Sequence, residues 1–331
     1  MRRFTIDGKY KQLLTAFGLN VPYILSDAGL DYDILDSPKV TMTEDEYYAF
    51  MDSIGKHISD DDTPIKIATS ANIESFNAPI YAAYCSRDGL SCIRRLSEYK
   101  KLIGPMMLIV RHDDRILRVD ITGSTDTTLP QFLVEGEFIF LLHLLRISTG
   151  KDIRPISIRM TDPVLNDPFL DYMGVKPISD TTNSMSFDME DMLIPFSSHN
   201  ESILEYMTPE IESRLYDERF QGECSRDVYK ILMEILPSGR CTIDDVALEM
   251  NIGKRTIQRK LSDEGTTFNI ILTTVRKNLS EYYIGQLDMD TDEVAFILGY
   301  KEINSFLRAF QQWNGITVTD FRKSCRAENK L

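Results

Sequence analysis

The sequence lacks the motifs of several large protein classes. Only five of its 331 residues are cysteine, and no two have Cys-x-x-Cys spacing, so neither a disulfide framework nor a zinc site is indicated. None of the four histidines lies within five residues of another. The His-Glu-x-x-His, Walker, Gly-x-Gly-x-x-Gly and Gly-x-Ser-x-Gly motifs are missing. We therefore expect no catalytic site, no metal site and no cofactor.

Long apolar runs are also missing. The longest, Phe138 to Leu145, has eight residues, whereas a helix that spans a bilayer needs about 20. The first residues, MRRFTIDGKYKQ, have two arginines with no apolar stretch behind them, which is not typical of a secretory signal. We expect a soluble, cytoplasmic protein with no membrane partner. The length favours two domains.

Basic residues are too few to coat the whole chain with positive charge. The chain has 37 Lys+Arg and 51 Asp+Glu, a formal net charge of -14, which argues against a general polybasic coat for nucleic acid. From Arg226 onwards, however, 15 basic residues balance 15 acidic ones, so the first 225 residues hold 22 basic and 36 acidic residues. This change predicts an N-terminal domain over 1–213, a linker over 214–225 and a C-terminal domain over 226–331.

The N-terminal part combines helical and alternating apolar patterns. Thr43 and Glu46 have the spacing of a capping box at the start of a helix. Helices are predicted over 10–19, 44–58, 91–103 and 132–145. Strands are predicted over 106–110, 115–121, 156–160 and 185–188, the first two as a hairpin. These patterns predict an α+β domain.

The C-terminal part is predicted to be all helical. Thr242 and Asp245 have capping-box spacing, and the apolar positions that follow fit one helix face. The segment 251–253 interrupts this pattern, and a second short helix runs from Lys254 to about Glu264. Two short helices joined by a tight turn are typical of a helix-turn-helix motif, here over 242–264.

The second of these helices has a polar outer face. Ile257 and Leu261 are predicted to point inward, and four polar residues share the opposite side. These are Arg255, Gln258, Arg259 and Ser262, with Lys254 at the start of the helix. Arginine and glutamine form paired hydrogen bonds with base edges in the major groove, although a polar helix face is more often merely solvated.

The same arrangement recurs 48 residues later. Asp290 and Glu293 repeat the cap, Gly299-Tyr300 supplies the turn, and a helix runs over 303–313. Phe306, Phe310 and Trp313 are predicted to face inward, and Asn304, Arg308 and Gln311 to face outward. The second motif spans 290–314, and a helix through 274–287 joins it to the first. Such a pair would enter successive major grooves on one side of DNA, and a plain helical bundle is the alternative.

These two motifs resemble the DNA-binding domain of the AraC/XylS family of bacterial transcription regulators. The second half carries the family's signature in Gly299-Tyr300, Phe306-x-Arg308-x-Phe310 and Phe321-Arg322. The resemblance implies DNA contacts from Lys254, Arg255, Gln258, Arg259, Asn304, Arg308 and Gln311. One departure is that Ile303 and Leu307 lie near the outward side of the second reading helix.

The N-terminal part is similar to the effector-binding and dimerisation domain of the ornithine- and arginine-utilisation regulators in that family. The similarity is carried by SFNAPIYAAYCSRDGL and FLDYMGVKPI, and the helix-rich pattern does not suggest the β-barrel usual in the family. It implies a homodimer, a small effector and a contact with RNA polymerase, most often in activation. The contact residues for an effector are not assigned. The acidic balance slightly favours a cationic or neutral effector over an anionic one, although a solvated acidic surface is the commoner reason for such a balance. A fatty acid or a nucleotide messenger stays open.

Three functions are compatible with the sequence. The first is a transcription regulator whose binding to double-stranded DNA responds to a small effector. The second is a regulator controlled by a protein partner or by its own expression level. The third is an enzyme domain tethered to a DNA-binding module, for which no cluster of acid, base and nucleophile is evident. The effector, the operator sequence and the regulated genes are not encoded in any motif that we recognise.

Overall fold

The chain forms two compact units, Met1–Leu215 and Tyr216–Leu331. The structure is a computed structural model and describes residues 3–6, 10–37, 40–70, 77–123, 127–219, 222–285, 287–314 and 316–328. Residues 220–221 of the predicted linker lie outside this description. The first unit contains strands and helices and the second contains helices, so the predicted fold class is confirmed.

Among its described residues, the first unit contains two sheets. In the smaller sheet, β1 (Arg3–Ile6) pairs antiparallel with β2 (Val40–Thr43). The larger contains five strands in the order β3-β4-β7-β5-β6. These are β3 (Met106–His112), β4 (Ile116–Gly123), β5 (Ser157–Met160), β6 (Ile178–Ser179) and β7 (Asn183–Asp188). β3 and β4 form the predicted hairpin, and of the strand pairs described, β5 with β6 is parallel and the others are antiparallel.

Several helices of the first unit begin at a side-chain cap. Thr43 and Glu46 form the predicted capping box, since the Thr43 hydroxyl accepts from Glu46 N at 3.2 Å and Glu46 accepts from Thr43 N at 2.7 Å. The helices are α1 (Tyr10–Ala16), α2 (Val21–Asp27), α3 (Glu44–His57), α4 (Thr63–Ser70), α5 (Ala78–Tyr84), α6 (Gly89–Tyr99), α7 (Gln131–Thr149), α8 (Asp167–Met173) and α9 (Met189–Met192), and α10 (Glu201–Arg219) begins in this unit and ends four residues past its boundary at Leu215. Among those with a side-chain cap are α2, α3, α5, α6 and α8.

The central helix α7 contains the longest apolar run of the chain. Phe138, Leu142 and Leu145 are fully buried in it and belong to the same core as Leu117 and Val119 on β4. Because alternate residues of a strand point to opposite faces, one side of the sheet faces this core. In the part of the chain that the structure describes, no helix is long and apolar enough to cross a membrane.

The second unit consists of helices around one core. The helix that joins the two motifs begins at Phe268 rather than at Thr274, because the Thr267 side chain accepts a hydrogen bond from Ile270 N and caps it there. The helices are α11 (Glu223–Ile235), α12 (Ile243–Glu249), α13 (Lys254–Asp263), α14 (Phe268–Gly285), α15 (Thr291–Ile297), α16 (Ile303–Asn314) and α17 (Val318–Glu328).

Candidate nucleic-acid interface

The first helix-turn-helix consists of α12 and α13. Thr242 and Asp245 form the predicted capping box at 3.2 and 2.8 Å, and the hydrogen bond from the Thr242 hydroxyl lowers the pKa of the Asp245 carboxyl. Asn251 adopts φ 53° in the turn, the left-handed region that asparagine tolerates better than most residues. The cap and the turn therefore fix where α13 begins.

Helix α13 presents the polar face that its sequence predicts. Ile257 and Leu261 are buried in the core of the second unit. Arg255, Gln258, Arg259 and Ser262 are exposed on the other side. This orientation follows from the helical repeat of 3.6 residues, because residues three and four apart share a side.

The cations on α13 differ in their surroundings. Lys254 forms an ion pair with Asp244, with 3.0 Å from Nζ to Oδ1. Arg255 and Arg259 make no ion pair or side-chain hydrogen bond with any residue that the structure describes. Surface ion pairs contribute at most about 1 kcal/mol, so a phosphate can displace Asp244 from Lys254 at little cost. Arg255 and Arg259 are thus available to an anionic partner, and Lys254 becomes available when a phosphate replaces Asp244.

The second helix-turn-helix consists of α15 and α16. Asp290 caps α15 as predicted, but its carboxylate accepts from Asp292 N at 2.9 Å rather than forming a box with Glu293. Gly299 has φ 73° in the turn, and a Cβ there would lie 2.9 Å from the sulfur of Cys241. Only glycine meets both conditions without strain, which explains its place in the turn.

Helix α16 buries aromatic residues and exposes polar ones. Phe306 and Phe310 are fully buried, whereas Trp313 is half-buried beside Tyr300, with 6.4 Å between the ring centroids. Asn304, Arg308 and Gln311 are exposed, as predicted, and Arg308 Nε donates to the Asn304 carbonyl at 3.2 Å. Ile303 is exposed and Leu307 packs partly on the core, so this outer face is less cationic than that of α13.

Helix α14 fixes the second motif to the shared core. Arg276 Nε donates to the Leu298 carbonyl at 2.9 Å, and its guanidinium lies 4.5 Å from the centroid of the Tyr300 ring. Val275 of α14 is buried in the same core as the inward residues of both motifs. The two motifs therefore belong to one packed unit. That their outer faces lie one DNA turn apart stays a prediction.

One positioning residue was not expected from the sequence. The carboxylate of Glu264, just after α13, accepts hydrogen bonds from Cys224 N at 3.0 Å and Ser225 N at 2.8 Å. It thereby satisfies free N–H groups in the first turn of α11. A Cβ at Gly222 would lie 1.8 Å from Glu264 Cδ, so glycine leaves room for the carboxylate. Because 40 residues separate the partners, no local sequence pattern could reveal this cap.

Replacing Glu264 with alanine should lower the free energy of unfolding of the second unit by about 1–3 kcal/mol, because two backbone donors lose a charged acceptor. Urea unfolding followed by Trp313 fluorescence measures this, since the chain has one tryptophan and it lies in this unit. Asp263→Ala is the matched control, because Asp263 is exposed and adjacent. Equal losses in the two variants would show that the cap contributes nothing.

Metal-ligating side chains and thiols are the other reactive groups among the described residues. In the ranges that the structure describes, no group of three or more His, Cys, Asp or Glu residues could hold a metal ion. The cysteines with described side chains are all free, and burial raises the pKa of the Cys92 thiol far above its usual range. Such a thiol stays protonated and is a poor nucleophile.

Comparisons with known proteins agree with this geometry. The family described as the arabinose-binding domain of AraC transcription regulators matches residues 18–196, more than half of the chain, and a helix-turn-helix family matches residues 246–324. An ornithine utilization regulator of Pseudomonas aeruginosa is 20% identical over 317 residues, which are 94% of this chain and 93% of that protein.

Two further proteins of Pseudomonas aeruginosa are similar to this chain. The regulator VqsM is 30% identical over 99 residues, which are 30% of each chain. The crystal structure of the transcriptional regulator CdpR aligns with 96% of this chain and 98% of its own, at 17% identity and a TM-score of 0.43. The family match over residues 18–196 is decisive: this chain belongs to the AraC family of DNA-binding transcription regulators.

Proposed function

We propose that the exposed faces of α13 and α16 contact DNA, with Lys254, Arg255, Gln258 and Arg259 in one major groove. Asn304, Arg308 and Gln311 contact the next groove. The observation that carries the proposal is the exposure of Arg255 and Arg259 on a single helix face, where neither has an ion pair or side-chain hydrogen bond with a described residue. In a chain of net charge -14, unpaired arginines on a reading helix favour an anionic partner.

The charge distribution supports different functions for the N-terminal and C-terminal parts of the chain. We assign DNA binding to residues 226–331 and effector binding and dimerisation to residues 1–213, with 214–225 as the linker. Because the acidic residues concentrate in the first 225 positions, phosphate repels that part and only the C-terminal third lies on the duplex. Following the resemblance to AraC/XylS regulators, the proposal also includes action in the cytoplasm as an activator that contacts RNA polymerase.

Footprinting of the full chain on its own operator tests the assignment of the two faces. We expect protection in two adjacent major grooves about one helical turn apart. Arg255→Ala should remove protection in one groove and Arg308→Ala should weaken it in the other. Protection of a single groove that both substitutions affect alike would contradict two independent reading helices.

Regulation by a small effector is part of the proposal. One relative, aligned over 317 residues, is named for ornithine utilization, and the family that matches residues 18–196 is described as an arabinose-binding domain. These names support a small-molecule site in the first unit without identifying its ligand. Control by a protein partner is the alternative. Thermal melting against a panel of metabolites separates the two, since a bound ligand raises the melting temperature.

A further inference from the structure

One side of the five-stranded sheet lies outside the core of the first unit. Leu117 and Val119 of β4 point into that core, so alternate residues of this strand and its neighbours point to the opposite side, here called the outer face. Both edge strands carry exposed apolar side chains on the outer face. These are Met107 and Ile109 on β3, each 37% exposed, and Ile178 on β6, 57% exposed. Exposed apolar side chains that share one surface indicate a site of protein contact.

The strand register places five residues of the outer face in one row across the sheet. From β3 to β6 the row is Ile109, Asp120, Ser184, Arg159 and Ile178. The two ends of the row are apolar, an acid and a base occupy the second and fourth positions, and the middle position is a small serine on β7, the third of the five strands. The row therefore has the same kind of residue at both ends and opposite charges on either side of its centre.

This row is complementary to a second copy of itself. Two sheets commonly pack face to face with their strands nearly aligned. If a twofold axis runs along β7 between two outer faces, the first position of one row lies opposite the fifth position of the other, and the second lies opposite the fourth. Ile109 then faces the partner's Ile178, and Asp120 faces the partner's Arg159. Each of these contacts occurs twice, as an interface with twofold symmetry requires.

The charged groups of the outer face can compensate each other across this axis. Asp120 pairs with both Arg111 and Arg118, which leaves one positive charge in excess. Arg159 pairs with Asp180, with 2.5 Å from Nη1 to Oδ2. Because the axis places the first group opposite the second, the partner's Asp180 offers a carboxylate to the excess arginine. The contact is therefore favourable in charge as well as in apolar surface.

The remainder of the first unit is acidic and disfavours self-association. The first 225 residues hold 36 acidic and 22 basic residues. On the outer face, by contrast, three arginines match three carboxylates, those of Asp120, Asp180 and Asp188. Surfaces of like charge repel each other, so two copies approach more easily through a balanced face than through an acidic one.

We propose that the outer face of the sheet is the dimer interface of the regulator, with a second copy of this chain as its partner and the twofold axis along β7. The inference rests on the proposed role of residues 1–213 in dimerisation and names the surface that performs it. A dimer formed in this way carries two DNA-binding units, so that one regulator binds two half-sites.

Sedimentation velocity of the full chain over a series of concentrations tests the interface. We expect a dimer for the unsubstituted protein. Ile109→Lys and Ile178→Asp each place a charge against an isoleucine of the partner twice per dimer, so each variant alone should raise the dissociation constant of the dimer at least about tenfold. Leu165→Asp is the control, because Leu165 is 53% exposed and lies outside the row, and it should leave the dissociation constant unchanged.

An equimolar mixture of Ile109→Lys and Ile178→Asp should recover the dimer. In a mixed pair the introduced lysine faces the introduced aspartate, and the two unchanged isoleucines face each other. Unfolded variants could not recover in this way, and circular dichroism of each variant checks its fold independently. A monomeric unsubstituted protein across the whole series, full dimerisation of both variants alone, or a mixture that stays monomeric would each overturn the inference.

Footprinting separates this inference from the assignment of the DNA-binding faces. A monomeric variant should still protect the two adjacent grooves of a single half-site when its concentration is raised, because α13 and α16 both belong to one copy of the second unit. If the unsubstituted protein is monomeric and nevertheless protects both grooves, the dimer interface is wrong and the DNA assignment stands. If the dimer behaves as expected but neither groove is protected, the DNA assignment is wrong and the interface stands.

Discussion

Replacing Arg259 with alanine is expected to weaken specific DNA binding by about 1–3 kcal/mol, or about five- to 150-fold in the dissociation constant. Arg259 lies in the middle of the exposed face of α13 and has no partner among the described residues, so its guanidinium is free to form two hydrogen bonds with a guanine. Gel-shift titration on the natural operator at fixed salt measures the change.

The control for Arg259 separates base reading from net charge. Lys176→Ala removes one exposed cation from the first unit and should leave the affinity unchanged. The loss in Arg259→Ala should also be smaller on non-specific DNA than on the operator, because base contacts carry the specificity whereas phosphate contacts act on all sequences. Full operator affinity in Arg259→Ala would remove this residue from the interface.

Phe310→Ala is expected to lower the free energy of unfolding of the second unit by about 3–5 kcal/mol. Phe310 is fully buried, and its ring packs edge to face on Phe306 and Phe321 at centroid distances of 5.9 and 5.3 Å. Alanine leaves a cavity and removes both ring contacts. Because small domains are stable by only about 5–15 kcal/mol, the second motif should lose much of its order at 37 °C.

Urea unfolding followed by circular dichroism measures the effect of Phe310→Ala. The matched control is Gln312→Ala, two residues along the same helix and exposed, which should change the stability by less than about 0.5 kcal/mol. Phe310→Leu keeps most of the apolar volume and should fall between the two. A loss below 1 kcal/mol in Phe310→Ala would mean that the aromatic cluster does not support α16.

Local sequence patterns were sufficient to predict many helix caps and inward-facing positions of the fold. The capping boxes at Thr43 and Thr242 were predicted because both partners lie within one helical turn, and the structure confirms them. The inward positions of Ile257 and Phe306 follow from the spacing of apolar residues on one helix. The cap at Asp290 was predicted, but its bond to Asp292 N rather than a box with Glu293 depends on rotamers that spacing does not encode.

Contacts between distant segments could not be predicted in the same way. The strand order β3-β4-β7-β5-β6 joins segments that are far apart along the chain, and periodicity carries no information about which strands pair. The capping of α11 by Glu264 and the packing of Arg276 on Tyr300 likewise depend on where helices cross. The DNA-contacting residues could be predicted without any long-range contact. That prediction requires only the bounds of each reading helix and the side of it that faces outward.

The sequence alone determined the helical repeat, the caps, the turns and the side of each reading helix that is polar, because these depend on residues within about eight positions of one another. Tertiary structure alone decided that Glu135 Oε1 is buried without a hydrogen bond among the described residues and that one core contains the inward side chains of both motifs. The physical reason is that burial and unpaired charge depend on the packing of segments remote along the chain, whereas periodicity is already present in each segment.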